Sequence, residues 1–246
     1  MSLVGVQASN ERRVTSPTLI FCAHGTRDPA GRQVILDVAG QVREATGLEV
    51  LEAYVDVQDP KVDQVIAQIP HAQAGLSAVV VPYLLAGGYH VYHDIAEAVA
   101  DRQDIVAAPA LGPEKRLIDI LLDRIEDVGA QATATLVLAP AGSSDPRSQA
   151  DTEKVAEMLR LRWDGPVRVG YAAGPKPSVP DAVAAARAHG ESGAGSDVAV
   201  VSYLLSPGYF QDTLHQAGAD HVTAPLAPDP RIVQIIADRY SAALGN

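Results

Sequence analysis

Three side chains stand out for the chemistry they could do together. His24 directly follows the run TLIFCA, Asp56 directly follows EVLEAYV, and His90 follows PYLL across the loop Ala86-Gly87-Gly88-Tyr89. Two neutral imidazoles and a carboxylate suit a divalent first-row metal, with coordination positions left open for a second ligand. The chain carries its own control for this reading. TLIFCAHGTRDP near residue 20 recurs as TLVLAPAGSSDP near residue 135, an offset of 117. The same offset lays AYVDVQDPKV over GYAAGPKPSV, while PYLLAGGYH answers SYLLSPGYF and APALGPEKR answers APLAPDPRI. Features shared by both copies serve the fold, and features present in one copy are candidates for chemistry. His24 faces Ala141, Asp56 faces Ala173 and His90 faces Phe210. One working site is expected, in the first half.

The elements that must position these residues are short β-branched runs alternating with segments of helical period. TLIFCA, EVLEAYV, SAVVVPYLL and DIVAAPA read as four strands. TATLVLAP, PVRVGYAA, DVAVVSYLL and HVTAPL read as their counterparts. GRQVILDVAGQVREAT keeps Val34, Val38 and Val42 on one face, and KRLIDILLDRIEDV does so with Leu117, Ile120, Leu121 and Ile125. Asp28-Pro29 and Asp145-Pro146 read as helix starts, with Asp capping free N–H groups and Pro preset for the first turn. Strand–helix alternation implies right-handed βαβ units and parallel sheets. The expected class is α/β: two tandem, similar three-layer domains, each with a parallel four-stranded sheet, and a cleft between them. The expected division is a loose tail at 1–16, a first half at 17–130 with the site, and a second half at 131–246 without the histidines. Two halves that already form a cleft imply a monomer. Tyr203, Leu204, Leu205 and Tyr209 are expected to wall that cleft, giving one metal and one flat ligand per chain.

Composition narrows the function. A net charge of −11 argues against nucleic acid, whose phosphates need a basic surface. The longest apolar run, AVVVPYLLAGG, is too short to cross a bilayer, and the N-terminus lacks a stretch suited to a secretory signal. A single cysteine, Cys22, excludes a disulfide framework and reads as a small core residue. A cytoplasmic location is expected, without a membrane partner. HGTRD superficially resembles the histidine phosphatases, but the phosphate-clamping Arg that precedes their nucleophile is Ala23 here. No GxGxxG follows the first strand, and GxxxxGK[ST] and GxSxG are missing. His93 and Asp94 read as a solvated histidine and a helix-start charge, although HVYHD could hold a metal by itself. His71, His189, His215 and His221 read as surface residues.

At AHGTRDP, AYVDVQDP and VVPYLLAGGYHVYHDI the sequence resembles the sirohydrochlorin chelatase family of the class II chelatases, and the likeness covers nearly the whole chain. That family's long form is a tandem pair of α/β half-domains facing one another across a cleft. The resemblance implies ATP-independent insertion of Fe²⁺ or Co²⁺ into sirohydrochlorin, on the way to siroheme or cobalamin. It matches the family's metal-binding histidines to His24 and His90, and its acidic residue, usually Glu, to Asp56. No tightly bound cofactor is expected, the divalent metal being a substrate. Sirohydrochlorin's carboxylates call for local cations, for which Arg27, Lys61 and the amides of Gly87 and Gly88 are the candidates. A carrier of metal or tetrapyrrole using the same histidines without turnover is the alternative.

Overall fold

A computed structural model describes residues 16–189 and 197–245, the His189 side chain excepted. The N-terminal tail expected at 1–16 lies, apart from Ser16, outside the described residues.

The first half runs β1 (Thr18–Ala23), α1 (Pro29–Thr46), β2 (Val50–Tyr54), α2 (Val62–Gln68) and β3 (Ala78–Tyr83). A π-helical turn (His90–Ile95) then leads into α3 (Ala96–Val99), β4 (Ile105–Ala107) and α4 (Lys115–Asp127). The second half repeats the plan with β5 (Thr135–Pro140), α5 (Pro146–Arg160), β6 (Val167–Val169), α6 (Val179–His189), β7 (Val198–Tyr203), α7 (Tyr209–Leu214), β8 (His221–Val222) and α8 (Pro230–Ala243). All strand pairings are parallel, in the orders β2-β1-β3-β4 and β6-β5-β7-β8. Leu19 pairs with Val50 and Val79, and Leu136 pairs with Val167 and Ala199. Each central strand is buried on both faces, which is why these runs read as continuous Val/Ile/Leu stretches. The edge strands β6 and β8 are shorter than the runs PVRVGYAA and HVTAPL predict, because the chain peels away after two or three paired residues.

Both Asp-Pro helix starts behave as predicted. Asp28 accepts the Gly31 N–H at 2.8 Å, and Asp145 accepts the Arg147 N–H at 2.9 Å.

Alternate residues of β1 face different cores. Ile20 and Cys22 pack outward on α2 and the π turn, while Leu19, Phe21 and Ala23 join a central core that also takes Leu136, Leu138 and Tyr203 from the second sheet. The helices between the sheets cross over: α8 packs on β3 and α1, whereas α4 packs on β7 and α5. Each half is three-layered as expected, but the inner layer is shared. Polar bonds run through the exchange. Arg239 donates to the carbonyls of Ala110 and Leu111 at 3.0 Å each, Arg231 pairs with Asp123 at 2.6 Å, and the Tyr240 hydroxyl donates to the Pro17 carbonyl at 2.6 Å.

Candidate metal-binding site

The β1–β3 register places the residues following both strands side by side at the carboxyl edge of the first sheet. Past β2, the Val55 and Val57 amides donate to the carbonyls of Ala23 and His24, at 3.0 and 3.2 Å. That pairing lays Asp56 along His24. Gln58 accepts the Thr26 N–H at 2.9 Å and fixes the loop after His24. His90 arrives at the start of the π turn, a departure from α-helical winding that recurs at functional sites.

The rings of His24 and His90 stand edge to face with centroids 4.8 Å apart. Asp56 Oδ2 lies 3.9 Å from His24 Nε2. Both imidazoles are partly open to solvent, at 45% and 33% side-chain exposure, and Asp56 is at 64%. Their outer nitrogens are committed. His90 Nδ1 contacts Asp94 Oδ2 at 2.6 Å, and His24 Nδ1 contacts the Gly25 carbonyl at 3.2 Å. A carboxylate and a carbonyl only accept, so each Nδ1 carries the proton and each Nε2 keeps its lone pair. Carboxylate support behind a ligating histidine fixes both tautomer and ring orientation. Asp94, expected as a helix-start charge, is instead the partner of His90. Its i, i+4 spacing from His90 is the signal that could have found it.

Among the described residues, no three or more His, Cys, Asp or Glu side chains stand gathered to hold a metal. Two imidazoles with a carboxylate set back make a grip with open positions, suited to passing an ion on.

The remaining candidates fall out differently. Arg27 is exposed and makes no ion pair among the described residues, so its charge is available. Lys61 precedes α2 and lines a depression of about 360 Å³ with Tyr54, Asp94 and Glu97, on the outer side of His90. Gly87 is a correction: its amide, expected to face a ligand, is buried and donates to Asp151 of α5 at 3.1 Å. Gly88 lies against Ser143 and Ser148 of the second half. His93 stacks on Tyr89 at 4.5 Å and lies 3.4 Å from Asp94 and 3.5 Å from Glu97.

Two of the expected surface histidines have carboxylate neighbours, His221 at 3.0 Å from Asp197 and His71 at 3.6 Å from Asp104. The expected wall is corrected as well. Tyr203 and Leu204 belong to the core, and Tyr209 and Phe210 are the exposed residues of that loop. Cys22 is buried on the outer face of β1. Burial, followed by the nearby Asp94 charge, pushes its thiol up to about 12, so it is no nucleophile.

A family profile, CbiX, matches this chain twice, over residues 18–128 and 135–243. The sirohydrochlorin cobaltochelatase of Sulfolobus acidocaldarius is 26% identical over 111 residues, covering 44% of this chain and 89% of that protein. The sirohydrochlorin ferrochelatase of Priestia megaterium is 22% identical over 151 residues, covering 58% of this chain; the match spans little more than half of that protein's length, 56%. Among solved structures, SirB from Bacillus subtilis with Fe³⁺ superposes with a TM-score of 0.76 at 18% identity, over 94% of this chain and 97% of that one. At that identity the likeness is one of fold. Tandem sheets with the same layering are common to both.

Proposed function

The chain belongs to the CbiX family, and from that premise we propose that it is a chelatase inserting Fe²⁺ or Co²⁺ into sirohydrochlorin, without ATP, in siroheme or cobalamin biosynthesis. The observation that carries the reading is the facing pair His24 and His90, each with Nδ1 bonded and Nε2 without a hydrogen bond among the described residues, in the first half alone. Metal and tetrapyrrole are both substrates. No cofactor is called on.

The reaction exchanges two pyrrole N–H protons for one divalent ion. The imidazoles collect the ion through Nε2 while its other positions stay open to the ring nitrogens. Asp56, exposed and beside His24, is placed to accept one proton leaving the macrocycle, and the second can pass to His24 or His90 once the ion has left it. Holding ring and ion in register supplies proximity. Arg27, exposed, is a cation for the substrate's carboxylates, and Lys61 lines a depression beside Asp94. The exposed Tyr209 and Phe210, rings 5.7 Å apart and inclined at 62°, offer an apolar contact on the second half. One site per chain follows, in a working monomer. Among the described residues no helix is long and apolar enough to cross a membrane, in keeping with the proposed cytoplasmic reaction.

Turnover tests the reading against that of a carrier. Sirohydrochlorin mixed with Co²⁺ or Fe²⁺ and substoichiometric protein is expected to change its absorption to completion. A change limited to one equivalent of protein would mark a carrier and overturn the enzyme.

A further inference from the structure

The loop that presents His90, residues 84–89, is held by both halves: within its own half the Leu84 carbonyl accepts the Leu111 amide at 2.8 Å, and two further bonds come from the second half. The Gly87 N–H donates to Asp151 Oδ2 of α5 at 3.1 Å, and the Leu85 carbonyl accepts the Tyr203 hydroxyl at 3.3 Å. Asp151 is 16% exposed, and its other oxygen takes the Lys154 ammonium at 3.2 Å. Burial first, then the charge of Asp151, hold the Tyr203 phenol protonated well above its usual range, which keeps it a donor.

The duplication shows that the Asp151 tether is an addition, whereas Tyr203 has a counterpart in Tyr83. The residue matching Asp151 in the first half is Val34, which has no carboxylate to offer the opposite loop. The residue matching Ala227 is Gly112. In the second half, the Ala227 amide donates to Leu205 at 3.1 Å, so that loop is tied to its own half. At Gly112, a Cβ would overlap both the Tyr203 hydroxyl and the Leu85 carbonyl oxygen. Glycine is what lets Tyr203 reach the metal loop.

We propose that Asp151 and Tyr203 are positioning residues for His90: the second half sets the metal affinity of the first by tethering its loop. The turnover part of this claim rests on the chelatase reading, and the affinity part rests on the histidine pair alone. A loosened loop lets His90 wander from the near-contact with His24 that a shared ion needs, and supporting-residue losses of this kind cost metal sites about tenfold or more.

The test uses the full chain and Co²⁺, whose visible absorption reports its ligands without any tetrapyrrole. Asp151→Val, which installs the first-half residue, should weaken Co²⁺ binding about tenfold and lower kcat with little change in KM for sirohydrochlorin. Asp151→Asn keeps an acceptor oxygen and should restore both. Gly112→Ala should weaken Co²⁺ binding in the same direction through Tyr203. Unchanged Co²⁺ affinity in Asp151→Val, or an Asn variant as weak as the Val variant with melting temperatures equal, would overturn the tether. A parent that binds Co²⁺ through His90 but turns nothing over would remove the chelatase reading alone, and the affinity comparison would still decide this proposal.

Discussion

The loop after β3 and the loop after β7 start from the same residues and end in different structures. PYLLAGGYH leads His90 into a π turn whose imidazole is backed by Asp94, whereas SYLLSPGYF leads Phe210 into a regular helix. In the second half a buried polar network holds that helix down. Ser202 Oγ donates to Gln211 Oε1 at 2.6 Å, and Gln211 Nε2 donates to the Thr223 carbonyl at 2.9 Å. The first half has Pro82 and Val91 at the places of Ser202 and Gln211, so no such network can form. The lesson is that sheets, caps and core persisted through duplication while two loops and a few side chains came to separate the copies. One copy fastens its loop within itself, and the other has its binding loop fastened from across the molecule.

The strongest way to break this comparison is to remove what only the first half has. His24→Ala or His90→Ala should lower metal insertion about 100-fold or more with circular dichroism unchanged, because the second half already folds with Ala141 and Phe210 there. Near-normal rates from a well-folded variant would end the assignment. Next comes separation of the halves. A polypeptide of residues 17–130 lacks α8, which covers β3, so it should lose most activity unless it pairs with a second copy, as sedimentation would reveal. Full activity from a monomeric fragment would contradict the shared inner layer.

Asp56→Ala should cost less, about tenfold in kcat, since the carboxylate stands back from the ligands and the imidazoles remain; a rate equal to the parent's would take it out of the proton path. The smallest effect sharpens the rule that first-half differences mark function. Cys22 also lacks a twin, being matched by Ala139, yet it is buried with its thiol raised to about 12. Cys22→Ala should leave activity within about twofold and cost about 1 kcal/mol of stability, and thiol reagents should spare the folded protein. A larger loss of activity would mean that the thiol takes part.

Much of this was readable from the chain because duplication made a one-dimensional signal out of a spatial fact. Val/Ile runs gave the strands, the two Asp-Pro pairs gave the helix starts, and the losses at 141, 173 and 210 singled out His24, Asp56 and His90. What escaped has physical reasons. An amphipathic helix shows its apolar stripe but not which sheet the stripe covers, so the exchange of α4 and α8 left no trace. The π turn adds one residue to a helical circuit that HVYHDIAEAVA fits equally well as an α-helix. Asp151 sits more than sixty positions from Gly87, and an acidic residue on a helix otherwise reads as solvated. The Gly87 amide is committed through that same long-range contact, which no local pattern announces.

The exchanged helices have an evolutionary consequence. If the two copies were separate and identical subunits, any substitution would appear twice, once on each side of a symmetry axis. Phe210 could not replace one histidine without removing both, and Asp151 would arrive on both helices at once. Joining the copies in one chain keeps the crossed packing at a high effective concentration while releasing them from that mirror bookkeeping. A tethered partner is free to become unequal, and the asymmetric site needs that inequality.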